Sequence, residues 1–181
     1  MDRIYMEMDG FDEVNDFFRS DIVQKTAIKT SKIEAKRFIT GTVKDVRKEY
    51  NIKANELKKH IKIKNGDRYD LSTTIDIESN MLPLSMFAPK IRKIRTAHGV
   101  RNGVSVKVKK TDRRKVVKGA FLFGSSIYMR EGEARYPLGV VSTLSVPQMF
   151  NEDIVKSGQK KFNENYPKTF SHNLNYYLSK S

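Results

Sequence analysis

Apolar positions recur first at helical spacing. Phe11, Val14, Phe18 and Ile22 follow i, i+3, i+7 and i+11, the period of one helical face. Asp9 or Gly10 precedes them, and acids fill the first turn, where the helix dipole favours negative charge. A second stripe runs through Ile28, Ala35, Ile39, Val43, Val46 and Tyr50, with Lys32, Lys36, Lys44 and Arg47 on the opposite face. This predicts a long amphipathic helix of about six or seven turns. Gly41 weakens that helix by about 1 kcal/mol relative to alanine without ending it. A short basic helix follows over Ala54 to His60. The chain then leaves helix through the alternating Ile61-Lys62-Ile63-Lys64 and turns at Asn65-Gly66-Asp67.

The middle third changes period. Leu71 to Glu78 is rich in β-formers, with Thr73, Ile75 and Ile77 on one face. Val104 to Lys109 alternates strictly and predicts a strand with valines inward and lysines outward. Val116 to Phe123 and Ile127 to Arg130 read as further strands, bracketed by Gly103 and Gly124. Glu131-Gly132-Glu133 turns the chain towards Arg135-Tyr136, and Pro83, Pro89, Pro137 and Pro147 mark loops or sheet edges. Helical spacing returns with Phe162, Tyr166, Phe170, Leu174 and Tyr177, where Pro167 predicts a kink or a restart.

Helices first, strands next and a helix last argue an α+β fold with a mainly antiparallel central sheet. The 181 residues read as one domain: an acidic helix or arm over 1–24, the long and short basic helices over 25–64, a sheet region over 69–147 and a C-terminal helix over 150–180. A chain of this length buries about 70% of the surface it exposes unfolded.

Composition narrows the classes. The absence of cysteine excludes disulfides, thiolate metal sites and a cysteine nucleophile. No apolar run approaches the roughly 20 residues of a membrane span, and the first residues lack a signal-peptide layout, so a soluble, intracellularly made protein is expected. The net charge is +14, unevenly distributed. Residues 1–22 hold seven acids against Arg3 and Arg19, a balance of −5. Residues 29–64 stand at +8, and residues 90–118 at +11 with Asp112 their only acid. Such segments attract polyanions, nucleic acid above all, although a basic face can also serve solubility alone. The acidic start can instead meet a neighbouring subunit's basic face.

Catalytic patterns do not assemble. His60, His98 and His172 have no metal-ligand spacing, and no cofactor or metal is expected. Gly124-Ser125-Ser126 is neither a nucleophile elbow nor a phosphate loop, and Gly99 to Gly103 lacks the lysine of one. The pairs Asp76/Glu78 and Glu131/Glu133 lack a third ligand and read as solvent-facing. Lys107, Lys109 and Lys110 are expected to project from one strand, with Arg113 and Arg114 in the next turn, as phosphate contacts require. No aromatic base-stacking motif accompanies them, which limits the expectation to sequence-independent contact.

Several blocks match a known pattern. They are Val46-Arg47-Lys48-Glu49-Tyr50-Asn51-Ile52-Lys53 leading into Leu57 to Lys64, Leu82-Pro83-Leu84 with the basic segment and Gly103 to Val108, and Lys118-Gly119-Ala120-Phe121. Arg135-Tyr136-Pro137-Leu138, Ser145 to Phe150 and Tyr166-Pro167-Lys168 complete the series. In this order the chain, from about Ile28 onward, resembles the phage minor tail protein Z family of long-tailed phages. That resemblance implies a non-enzymatic virion protein, made in the host bacterial cytoplasm and acting in tail completion at the head-proximal end. It further implies a homo-oligomeric ring, six copies on the tail axis, between tail tube or terminator and head connector, around the passing genomic DNA. Arg92, Lys93, Arg95, Arg101, Lys107, Lys109, Arg113 and Arg114 are then the candidates for facing DNA or a partner. Asp12, Glu13, Asp16, Lys36, Lys44 and Arg47 are candidates for contacts between copies. A stand-alone, sequence-independent nucleic-acid-binding protein and a transient tail-assembly adaptor are the alternatives.

Overall fold

The computed structural model describes residues 2–6, 21–96 and 99–180, with residues 2–6 and 96 described through their backbone alone. Phe11, Val14 and Phe18, and with them Asp12, Glu13 and Asp16, lie outside the described residues, as does His98. Within residues 1–24, expected as an acidic helix or arm, Asp2–Met6 is a strand, β1, and Asp21 opens the long helix.

That helix, α1, spans Asp21–Glu49, so Ile22 belongs to it and it runs to about eight turns. Ala35, Ile39, Val43 and Val46 are buried on it, with Tyr50 just beyond, while Lys32, Lys36, Lys44 and Arg47 stay exposed. The short helix α2 covers Ala54–Lys58, and β2 covers Ile61–Lys64. Strand β3, Thr74–Ser79, lies between β1 and β2 in an antiparallel sheet, Ile77 facing both Ile4 and Ile61.

Three further antiparallel sheets replace the one expected. Strand β4, Met81–Pro83, leads through a 3-10 turn at Leu84–Met86 to β5, Lys90–Thr96, which pairs with β6, Gly99–Val106. The expected strand over Val116 to Phe123 is two: β7, Lys115–Val117, pairs with β6, and β8, Phe121–Phe123, pairs with β9, Ser126–Arg130. Gly119, at φ +75°, makes the break by taking a backbone conformation that side chains resist. Gly103 does not bracket a strand but sits inside β6, where an added Cβ would lie 2.6 Å from Ile94 Cδ1. Strand β10, Leu138–Val140, pairs with β9, and β11, Ser142–Ser145, pairs with β4.

The helix α3, Val146–Met149, and the last helix α4, Glu152–Leu178, close the chain. Asn151 caps α4 by accepting the Ile154 amide at 2.9 Å, and Glu152 and Asp153 complement the dipole. Helix α4 neither stops nor restarts at Pro167. Both Pro167 and Asn163, whose carbonyl loses its amide partner, are exposed, so water can take that place.

One buried cluster joins α1, α2, the sheets, α3 and the start of α4 around Leu57, Ile75, Ile77, Phe87, Ile127 and Met149. Beyond Phe162 the α1/α4 seam carries buried polar contacts. Asn173 Nδ2 donates to Thr30 Oγ1 at 3.0 Å, and Ser31 and Tyr166 share a hydrogen bond of 3.3 Å. Glu34, only 1% exposed, accepts from Thr169 Oγ1 at 2.6 Å and pairs with Arg37. Burial, eased by Ser31 and reinforced by the Glu34 charge, pushes the Tyr166 hydroxyl up to about 12.

Candidate functional site

The basic residues singled out by sequence divide into two sets. Arg92, Lys93, Arg95 and Arg101 lie on the β5–β6 ribbon, together with Lys90. Cross-strand register sets Lys93 opposite Asn102, Arg95 opposite Val100, Ile94 opposite Arg101 and Arg92 opposite Gly103. Side chains alternate along a strand, so Lys93 and Arg95 share a face with Ile91 and Val100, while Lys90, Arg92 and Arg101 share the other. Both faces are cationic.

Strand β7 covers β6 only from Val104 to Val106. Those residues are buried, whereas β6 from Gly99 to Asn102 is exposed throughout, and Ile91 and Val100 stand 59% and 63% exposed. The outer half of the ribbon therefore projects from the core as two paired strands. None of Lys90, Arg92, Lys93, Arg95 and Arg101 forms a salt bridge with a described residue. Lysine and arginine along both strands also discourage edge-to-edge pairing with another sheet.

The second set is tied down. Strand β6 ends at Val106, so Lys107, Lys109 and Lys110 do not project from it as expected. Their segment crosses the C-terminal end of α1 instead. The Asn51 amide donates to Val108 O at 2.8 Å, the Lys110 amide to Glu49 O at 2.7 Å, and Lys110 Nζ to Arg47 O at 2.5 Å. The Lys109 ammonium lies 5.8 Å from the Tyr50 ring centroid. These cations sit where free carbonyls and the helix dipole favour positive charge. Arg114 donates from Nη1 to Ala88 O at 2.8 Å and Ser105 O at 3.0 Å, fastening the base of the ribbon. Arg113 is exposed beside it.

Sequence reading missed β5 as a strand because Ile91 and Ile94 are three apart, which breaks strict alternation. Its charge gave the only signal. Lys36, Lys44 and Arg47 do occupy one exposed face of α1. Asp76 corrects an expectation: on the middle strand of its sheet it is 8% exposed rather than solvent-facing, with Oδ1 lacking a hydrogen bond. Glu78 is half-buried, and Glu131 and Glu133 are exposed. Among the described residues no three His, Cys, Asp or Glu converge as a metal site, and no helix is long and apolar enough to cross a membrane.

The arrangement offers a projecting cationic ribbon on a helical and β-sheet body, which suits contact with a polyanion or an acidic surface. No curated protein and no solved structure matches the chain. The family model for prophage minor tail protein Z matches residues 13–180, nearly the whole length and every element from α1 to α4. The chain therefore belongs to the prophage minor tail protein Z family, a family of phage tail proteins.

Proposed function

We propose that this minor tail protein is a tail-completion or neck component at the head-proximal end of the tail. In this reading it acts without catalysis. It assembles as a ring, six copies on the tail axis, between the tail tube or terminator and the head connector, and its β5–β6 ribbon is directed at the DNA path. The observation that supports it is the ribbon: five cationic residues on two faces, none paired with a described carboxylate. A conduit for DNA requires cationic contact that is sequence-independent and weak, since tight binding would stall passage. The ribbon supplies charge suited to phosphates, without an aromatic stacking row on the same strands.

Deleting the gene from its phage or prophage and imaging the particles tests this placement. Full heads and tails of normal length that remain unjoined, or joined but non-infectious, are expected. Infectious particles of normal form would overturn it and turn attention to a stand-alone nucleic-acid-binding role. The same ribbon serves that role, which predicts tight duplex binding by a monomer or dimer. A transient assembly adaptor would be missing from purified virions, whereas a neck component is present in a few copies.

A further inference from the structure

The outward face of the β8–β10 sheet is unpartnered. Register puts Phe121, Tyr128 and Val140 in one row, with Phe123 beside Ser126 and Arg130 beside Leu138 on the same face. Ile127 points the other way and is fully buried in the core. On the outer face Phe123 is 71% exposed and Val140 46%, with Tyr136 at the margin 66% exposed. Phe121 and Phe123 flank the Tyr128 ring at centroid distances of 6.5 and 6.4 Å. The two phenylalanines, Tyr136, Leu138, Arg130 and Arg135 line an open cavity of about 390 Å³. Arg135 lies 5.9 Å from the Tyr136 ring centroid, and neither arginine is salt-bridged to a described residue, Glu131 and Glu133 of the same loop included. Exposed aromatics with arginine are the composition of binding hot spots.

The chain carries a segment of matching chemistry. Asp9-Gly10-Phe11-Asp12-Glu13-Val14-Asn15-Asp16-Phe17-Phe18 interleaves carboxylates with phenylalanines. Residues 1–22 stand at −5 against +19 for residues 23–181. That segment runs between Met6, the end of β1, and Asp21, the start of α1, so its last residues are held close to Asp21. The sheet face lies by the other end: Ser125 and Ser126, next to Phe123, line a cleft with Arg47 and Asn51. Arg47 is about 39 Å along the helix from Asp21 at about 1.5 Å per residue. Asp16, five residues before Asp21, reaches at most about 18 Å from it. Asp16, Phe17 and Phe18 therefore cannot reach the sheet face of their own chain.

We propose that residues 9–18 of one copy dock on the β8–β10 face of the next, their carboxylates on Arg130 and Arg135 and their phenylalanines among Phe121, Phe123 and Tyr136. One patch meets a different patch, so the contact repeats head to tail and closes into a ring when the rotation allows. The inference rests on the ring reading above and identifies its interface.

Sedimentation velocity on the full chain over a concentration series tests it, with circular dichroism verifying the fold of each variant. The wild type associates beyond monomer. Arg130→Glu with Arg135→Glu weakens association at least tenfold, as does Asp12→Lys with Asp16→Lys. The chain carrying all four exchanges recovers it, and the two double variants, each impaired alone, associate again when mixed, because the segment of each then complements the face of the other. Phe123→Ser weakens association without altering charge. A wild type that is monomeric at every concentration, association unchanged by Phe123→Ser and the arginine pair, or no recovery in a folded four-residue exchange would each overturn the docking. So would loss of duplex binding in the arginine variant with association intact. A joining defect on gene deletion together with a failed charge exchange sinks the docking alone and leaves the neck placement standing.

Discussion

Two glycines inside helices have opposite physical reasons to be there. Gly158 is buried in α4, and a Cβ at that position would sit 2.6 Å from Phe38 Cε2 and 2.8 Å from Thr42 Cγ2 on α1. Gly41 of α1 has nothing within 4 Å of its would-be Cβ. Alanine gains about 1 kcal/mol of helix propensity at either site, but overpacking costs about 1–3 kcal/mol where no space exists. Gly158→Ala is therefore expected to lower the thermal midpoint and Gly41→Ala to raise it by about 2–4 °C, measured by calorimetry. Sequence exposed the propensity cost at Gly41 but not the close approach at Gly158, because nothing local encodes which helix will pack across it. Polar positions obscured the seam in the same way. Thr30, Ser31 and Glu34 are buried there by partners more than 130 residues later in the chain, so no hydrophobic stripe marks them.

At the scale of elements, legibility followed the regularity of the local pattern. The stripe of α1 and the alternation of Val104 and Val106 were readable because the apolar positions of each pack on the core at regular spacing, although Ser105 between the valines is buried too. Strand β5 was not, since both its faces carry charge and its pairing with β6 supplies the order that its own sequence lacks. The stripe on α4 was readable as helix yet misleading as core: Phe162, Tyr166, Phe170, Leu174 and Tyr177 are all half-buried, while Ile154, Gly158 and Asn173 are buried. Beside the Gly158 packing, an ion pair also links α4 to α1. Asp45 accepts a 2.6 Å bond from Lys48 of its own helix and lies 3.6 Å from Lys161 of α4. The Lys48 bond, with Lys161 adding to it, holds the Asp45 carboxyl below its ordinary 3.8 against the opposing effect of burial. A depressed folded value means that this stabilisation is full above the ordinary carboxylate range and is lost as pH falls through the folded value. Asp45→Asn should thus melt below the wild type at pH 7. The gap should narrow once the pH drops below 3.8 and close at still lower pH, as read by melting curves across the acid range.

At the scale of the whole molecule, the proposed DNA contact and the stability of the fold fall on separate basic sets, so the conduit reading predicts that each can be altered without the other. If the five ribbon cations each neutralise one phosphate, log K should fall with log salt at a slope of about −4.5, and each ribbon charge removed should flatten it by about 1. Arg92→Ala and Arg101→Ala, on one face, and Lys93→Ala and Arg95→Ala, on the other, are expected to act alike on duplexes of any sequence, because on the conduit reading they contact phosphates, which carry no sequence information. Arg114→Ala should behave differently. Its guanidinium holds the Ala88 and Ser105 carbonyls at the base of the ribbon, so its loss should lower the melting temperature while leaving the salt slope within about one unit. Fluorescence anisotropy with two unrelated duplexes, titrated at several salt concentrations, reads both quantities. A slope unchanged by the ribbon variants but flattened by changes at Lys107, Lys109 or Lys110 would move the polyanion contact from the ribbon to the end of α1. A marked preference between the two duplexes would argue for a sequence-reading protein over a conduit.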